Sequence, residues 1–293
     1  VSYDVRNKAV ELAKLGDGFM SKAQYASALK YYADALKTNS AIDDLAGVAA
    51  SHASMGRAYL AAGEADAARL EYEASLEYAR FSGSTVAQST AKSGLGEVSF
   101  AQGAKAEALA AFIEAMSLAA VGGAAKDEKA YAIALHDAAV AKSALGRVRE
   151  AITDLERAQG LNLKARRWIE LGANRYALAS ILAGEGRADA ALAAVRGALD
   201  ADKRAENARA VSLDLAAAAS LCSKLGKGAE AWDYWHRSFD SALAADDAAS
   251  VRKALNALVE LAPKLKKDGD GARYSELLVK LDQAEGKASA DSP

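Results

Sequence analysis

Five glycines, Gly63, Gly103, Gly146, Gly186 and Gly226, recur along the chain at intervals of 40, 43, 40 and 40 residues. Each lies between two alanine-rich stretches of helical character. Each is followed five residues later by an alanine: Ala68, Ala108, Ala151, Ala191 and Ala231. A fixed period of this size restricts the fold to a stacked array of like units, because no single unit can bury its apolar face alone. Such arrays offer a long surface to another molecule rather than enclosing a reaction.

Other features narrow the class. Alanine is abundant and only two prolines occur, Pro263 and Pro293, so the chain reads as all-α. The 293 residues would fill two ordinary domains, but repeat units pack only on their neighbours, and one array can span the length. With 37 basic and 39 acidic residues there is no cationic excess to neutralise a phosphate backbone, which argues against nucleic acid. Apolar runs such as Leu213 to Leu221 stop well short of the ~20 residues of a membrane span. A single cysteine, Cys222, excludes an intramolecular disulfide and a multi-cysteine metal site. The chain begins at Val1, from which we expect a removed N-terminal segment: an export signal, a lipoprotein leader or an expression tag. That expectation leans towards the bacterial envelope over the cytoplasm.

Within the period a finer register is visible. The first unit carries Leu15-Gly16, Phe19, Ala28, Tyr32 and Ala35. The second carries Met55-Gly56, Tyr59, Ala68, Tyr72 and Ser75, and the third Leu95-Gly96, Ala108, Phe112 and Ala115. Units four to six replace the first-helix glycine by Ala139, Ala179 and Ala219. They keep the later small-large-small triplets Ala151/Leu155/Ala158, Ala191/Val195/Ala198 and Ala231/Trp235/Ser238. This order of a large residue and glycine, then an aromatic, a small residue, a second aromatic and a second small residue resembles the tetratricopeptide repeat (TPR). The resemblance implies a right-handed α-solenoid of six helical hairpins, with repeats at about 8–40, 48–80, 88–121, 130–160, 171–202 and 211–245. A capping helix pair at 246–285 and a disordered tail at 286–293 complete the expected organisation. Two features depart from the family: a period near 40 rather than the usual 34 residues, and no repeat-closing proline, Ser40 standing at that place in the first unit. Either longer helices or longer inter-repeat loops would account for the period.

The spaced glycines suit a left-handed helix terminus, which glycine adopts without steric cost. Inter-repeat junctions are expected at Thr38-Asn39-Ser40, Ser82-Gly83-Ser84, Gly122-Gly123, Gly160-Leu161-Asn162, Asp200 to Asp202 and Asp246-Asp247. The extra three residues of the 43 interval fall on Val121 to Ala124.

Little in the sequence suggests catalysis or a metal. His52, His136 and His236 sit in different repeats. His236 has Asp233 and Asp240 on its own helix face, a pattern that fits a surface ion pair. Cys222 lies in an apolar helix and reads as a small hydrophobe. By register Trp235 is structural, whereas Trp232 and Tyr234 belong to packing or to an outer surface. Asp268-Gly269-Asp270-Gly271 reads as a turn, since Lys266 occupies the first ligand position a calcium loop would need. No phosphate cradle, carboxylate pair or Ser/His/Asp set has a credible context. We therefore expect neither catalytic activity nor a cofactor nor a metal.

The resemblance implies that first helices line the concave groove. Its contact positions would then be Val10, Ala13, Lys14, Asp17 and Met20 in repeat one, and Ala50, Ala53, Ser54, Arg57 and Leu60 in repeat two. Repeat three would offer Thr90, Ser93, Gly94, Glu97 and Phe100, and repeat four Ile133, His136, Asp137, Val140 and Ser143. These are not the Lys, Asn and Arg of a carboxylate clamp. The larger candidate contacts are Asp17, Arg57, Glu97, Phe100, His136 and Tyr176. Small neighbours leave room for a helix or extended peptide, or let the array fill its own groove. The expected function is a non-enzymatic scaffold that binds a protein or peptide. The alternative is a small-molecule-binding accessory to transport, for which a pocket ringed by Phe100, His136 and Tyr176 would be the sign.

Overall fold

The computed structural model describes residues 2–121 and 127–290. The expected loop glycines Gly122 and Gly123 and the last three tail residues therefore lie outside the described residues. Fourteen α-helices, a short 3-10 turn and no strands make up the described residues. The chain divides into two compact units, Val1–Leu161 and Asn162–Pro293.

The first unit holds α1 (Ser2–Met20), α2 (Tyr25–Ser40), α3 (Leu45–Ala61), α4 (Ala65–Phe81), α5 (Thr85–Ala101), α6 (Lys105–Ala120), α7 (Glu128–Ala144) and most of α8 (Val148–Lys164). The second holds the end of α8 with α9 (Trp168–Gly184), α10 (Ala188–Arg204), α11 (Ala208–Lys224), α12 (Gly228–Ala244), α13 (Ala248–Leu261) and α14 (Asp268–Ala290). Pro263–Leu265 forms the 3-10 turn before α14. Consecutive helices pair as hairpins within each unit.

The long period now has a physical source. From α3 to α12 the helices are 16 or 17 residues long, and most described connections between them take only three. The helices, not the loops, are extended. All five spaced glycines adopt positive φ, from +72° to +85°. The same conformation recurs at every described hairpin turn, including Ala23 (φ +55°) and Lys266 (φ +55°), which stand 40 residues before Gly63 and after Gly226. A second left-handed series marks the inter-repeat turns: Asp43, Gly83, Arg166, Glu206 and Asp246.

Three expected junctions are displaced. Asn39, Asn162 and Asp202 lie inside α2, α8 and α10 rather than in loops, and the chain turns a few residues later. Asn and Asp favour turns by competing for backbone hydrogen bonds. Here each is buried and takes its partner from the next helix, so tertiary contact overrides the local preference. Asn39 Nδ2 donates to Ser51 Oγ at 3.1 Å, and Asn162 Nδ2 to Asn174 Oδ1 at 2.8 Å. Asp214 donates to Asp202. Alanine pairs occupy the same register elsewhere, at Ala79/Ala91 and Ala242/Ala254, all buried.

The small-large-small triplets form the packing layer. Ala28, Ala68, Ala108, Ala151, Ala191 and Ala231 are each fully buried, as is Tyr32. Glycine in the first helices makes room for the aromatics: a Cβ on Gly16 would lie 2.5 Å from the Tyr32 ring, and one on Gly96 2.5 Å from Phe112. Where glycine becomes Ala139 or Ala179, the facing side chain shrinks to Leu155 or Val195.

At the C-terminal end, α14 begins at Asp268, so the Asp-Gly-Asp-Gly run is its first turn rather than a loop. The helix continues to Ala290, past the expected end at Glu285. Trp232 and Trp235 are buried against α13 and α14 in a cluster with Val251, Leu255, Leu258 and Tyr274. We propose that this pair acts as the terminal cap.

Candidate functional site

In the first unit, α3, α5 and α7 present one face lined mainly by small side chains. Together with Tyr72 of α4 they enclose a recess of ≈310 Å³, walled by Ala50, Ala53, Ser54, Arg57, Ser89, Thr90, Ser93, Gly94, Glu97, Ala130 and Ile133. Two glycines shape it. Tyr72 is buried between Gly56 of α3 and Gly94 of α5, with its ring 3.0 Å and 2.1 Å from where their Cβ atoms would be. Without a side chain at 94 the ring fits between both helices and lines the recess.

Arg57 and Glu97 are the charged groups on the wall. Arg57 is committed beside the recess: its guanidinium donates to Asp17 Oδ1 and to Tyr32 Oη at 3.1 Å. Tyr32 Oη in turn donates to Asp17 Oδ1 at 2.7 Å. Burial and the Asp17 carboxylate push the Tyr32 phenol up to about 12, so it stays a donor at any ordinary pH. Three residues, 15 and 40 positions apart, thus tie α1, α2 and α3 together at the mouth of the face.

Glu97 receives no such bond among the described residues. Burial pushes its carboxyl up to about 6, against a smaller downward pull from Arg57. On the neighbouring α7, Asp137 is also held well above the carboxylate range, by burial first and by Glu97 second. One Asp137 oxygen accepts from Ser93; Oδ2 is buried with no hydrogen-bond partner among the described residues. A buried, unpaired carboxylate oxygen is costly, and proteins rarely leave one without a reason.

The six candidate contacts divide. Asp17 and Arg57 form the triad with Tyr32, and Glu97 lines the recess. Phe100 instead packs on Ala108, Leu109, Phe112, Ala138 and Ala141, where its role is structural. His136 is half-buried outside the recess, and burial lowers its pKa. Tyr176 belongs to the second unit, where it lines a smaller recess of ≈160 Å³ with Ala179, Ser180, Ala183, Ala217 and Lys224. Neither Phe100 nor His136 lines either recess. Asp137 was within reach of sequence reasoning, since it stands at a contact position of repeat four. It stands 40 residues after Glu97, but the 43-residue interval leaves it nine residues before its hairpin glycine, Gly146. Arg57 and Glu97 stand six before theirs, so the repeat register puts Val140 in the matching place.

Elsewhere the aromatic and histidine candidates are structural. Tyr234 Oη accepts from Arg196 Nε at 3.0 Å. His236 pairs with Asp240 at 3.3 Å on the helix surface. Cys222 is fully buried. No described helix is long and apolar enough to cross a membrane.

The hairpin arrangement is shared with solved structures. A signal-transduction ATPase with a tetratricopeptide repeat sensor from Pyrococcus horikoshii matches 99% of this chain and 44% of its own, with a TM-score of 0.68 at 12% identity. The chain has the tetratricopeptide-like repeat fold. Rap protein complexed with Competence and Sporulation Factor matches 96% of this chain and 76% of its own, with a TM-score of 0.67 at 14% identity. The apo form of the quorum sensor NprR from B. thuringiensis gives 94% and 76%, a TM-score of 0.65 and 16% identity. At such identities the likeness is one of TPR-like fold. No family model and no curated protein matches the sequence.

Proposed function

We propose that the chain is a non-enzymatic binding protein that takes a peptide or protein segment on the first-helix face of its N-terminal unit. The observation that carries this reading is the recess between α3, α5 and α7, which is lined by small side chains yet flanked by charge. Alanine, serine and glycine leave backbone-scale space there, and a guest side chain could fill it by shape. TPR-like neighbours support the reading: one was solved with Competence and Sporulation Factor, and another is a quorum sensor. The recess is at the lower limit of small-molecule sites, roughly 300–1,000 Å³, which favours one inserted side chain of a longer segment over a free metabolite.

The reading is tested by selecting peptides from a random-sequence display library against the full chain and mapping them by hydrogen exchange. Selected peptides should slow exchange in α3, α5 and α7. Binding should be lost in Ser54→Trp, which fills the recess. Protection confined to α4 and α6, or undiminished binding by Ser54→Trp, would refute the assignment of the face.

A further inference from the structure

The recess has an unbalanced charge. Among the described lining residues the charged groups are one carboxyl, Glu97, and one guanidinium, Arg57, with the raised, neutral Asp137 as a neighbour of Glu97. That guanidinium is already engaged by Asp17 and Tyr32. Glu97 is left on the wall without a hydrogen-bond partner among the described residues, and behind it lies the unpartnered Oδ2 of Asp137. Buried charge is normally paired, so a face with this unpaired carboxyl is complementary to a cation. The volume also fits. On α5 the lining residues beside Glu97 are short, Thr90, Ser93 and Gly94, and leave room for a long, slender group.

We propose that the recess is a cation subsite that receives an arginine or lysine side chain of the bound segment, with Glu97 as the direct acceptor. This rests on the segment-binding reading above and specifies the chemistry of the partner. Arginine fits best, because its planar fork can bond a carboxylate through two parallel N–H groups and its stem packs on alanine and isoleucine.

The site also sets a proton linkage. The groups facing Glu97 are Arg57 from α3, Tyr72 from α4 and Asp137 from α7. On α6, Glu114 is taken up by Lys92 on another face of α5. Before a segment binds, burial keeps Glu97 partly protonated near pH 6. A bound cation favours the carboxylate, so binding expels a proton and affinity falls as the pH drops through 6.

The probe is an array of amidated, acetylated ten-residue peptides of otherwise random composition. The central position is fixed as Arg, Lys, Gln, Leu or Glu, and fluorescently labelled full chain is applied at pH 5 and pH 7.5. The Arg and Lys sets should bind at least about tenfold better than the Gln and Leu sets at pH 7.5, and the preference should shrink at pH 5. Glu97→Gln, isosteric and uncharged, should abolish both the preference and its pH dependence. Glu97→Lys should turn the preference towards the Glu set. Circular dichroism melts confirm that each variant folds. If peptides bind with no preference for a cation, or Glu97→Gln keeps that preference, the cation subsite is wrong while the segment-binding face stands. If no set binds, both fall.

Discussion

A Cβ placed on Gly94 would lie 2.1 Å from Cε1 of Tyr72, closer than any real methyl can approach a ring. The contact joins α5 to the aromatic of the preceding repeat, which lines the recess. Gly94→Ala must therefore displace a buried ring or push α5 away from α4. We expect a loss of about 2–3 kcal/mol in urea unfolding, the usual range for overpacking a core. Gly160 on the exposed side of α8 has nothing within 4 Å of its would-be Cβ. There the same substitution only removes backbone entropy, so Gly160→Ala should gain up to about 1 kcal/mol. Equal effects at the two sites would mean that packing does not decide the sign.

The left-handed series gives a second paired test. Ala23 occupies at φ +55° the turn position that Gly63 occupies at φ +85° one repeat later. An L-residue pays roughly 1–2 kcal/mol for this conformation, partly offset by the lower entropy of its unfolded chain. Ala23→Gly should raise stability by about 0.5–1 kcal/mol, read as a higher unfolding midpoint. Gly63→Ala should lower stability by about 1 kcal/mol. A destabilising Ala23→Gly would show that the Ala23 methyl makes contacts that outweigh the strain.

Asp202 and Asp214 make a third. Both are buried, and Asp214 donates its proton to the Asp202 carboxylate while its own Oδ2 stays unpartnered among the described residues. Burial first and then the Asp202 charge push Asp214 up to about 8. The folded state thus holds a proton that the unfolded chain releases near pH 4. Its contribution is complete below that value, is lost progressively as the pH rises, and is exhausted above about 8. Asp214→Asn reproduces the chemistry of Asn162 and Asn174, which pair at the same register one repeat earlier. The variant should be more stable than the wild type at pH 8.5, by roughly 2 kcal/mol, and its loss of stability between pH 5 and 8.5 should be smaller. Denaturant curves at the two pH values decide; an unchanged pH slope in the variant would place the linkage elsewhere.

The period and the packing are legible in the amino-acid sequence itself. Gly63, Ala68 and Tyr72 recur because every helix must meet its neighbour in the same way, and repetition makes a weak local signal readable. The junctions were misplaced where one residue type serves two purposes. Asn39, Asn162 and Asp202 have the local chemistry of a turn, and only the partner 12 residues on makes them interior. The site was half visible for a related reason. Register put Asp17, Arg57 and Glu97 on one face, but no local feature distinguishes Glu97, without a hydrogen bond among the described residues, from Arg57, held by two neighbours. That difference depends on which helix lies opposite, and on α7 the opposing register is shifted by the 43-residue interval. Phe100 satisfied the same positional rule and turned out to fill a core.

The aromatic cluster at the C-terminal end carries the last prediction. Tyr274 of α14 is buried, with its ring 5.9 Å from Trp232, 6.0 Å from Phe239 and 6.3 Å from His236, all on α12. Lys267 Nζ lies over the Trp232 ring, 4.9 Å from its centroid. If α13 and α14 cap the second unit, removing the Tyr274 ring should undo the cap rather than merely leave a void. Tyr274→Ala should cost about 3–4 kcal/mol, the range for deleting a buried aromatic together with its ring contacts. It should also shift tryptophan emission to the red as Trp232 meets water. Hydrogen exchange should quicken in α12 to α14 while α1 to α7 keep their protection, because repeat arrays couple mainly through adjacent units. Tyr274→Phe retains the ring and should cost less than about 1 kcal/mol. Native emission in Tyr274→Ala, with unchanged exchange in α12, would show that Trp232 is covered by α13 alone and that α14 caps nothing.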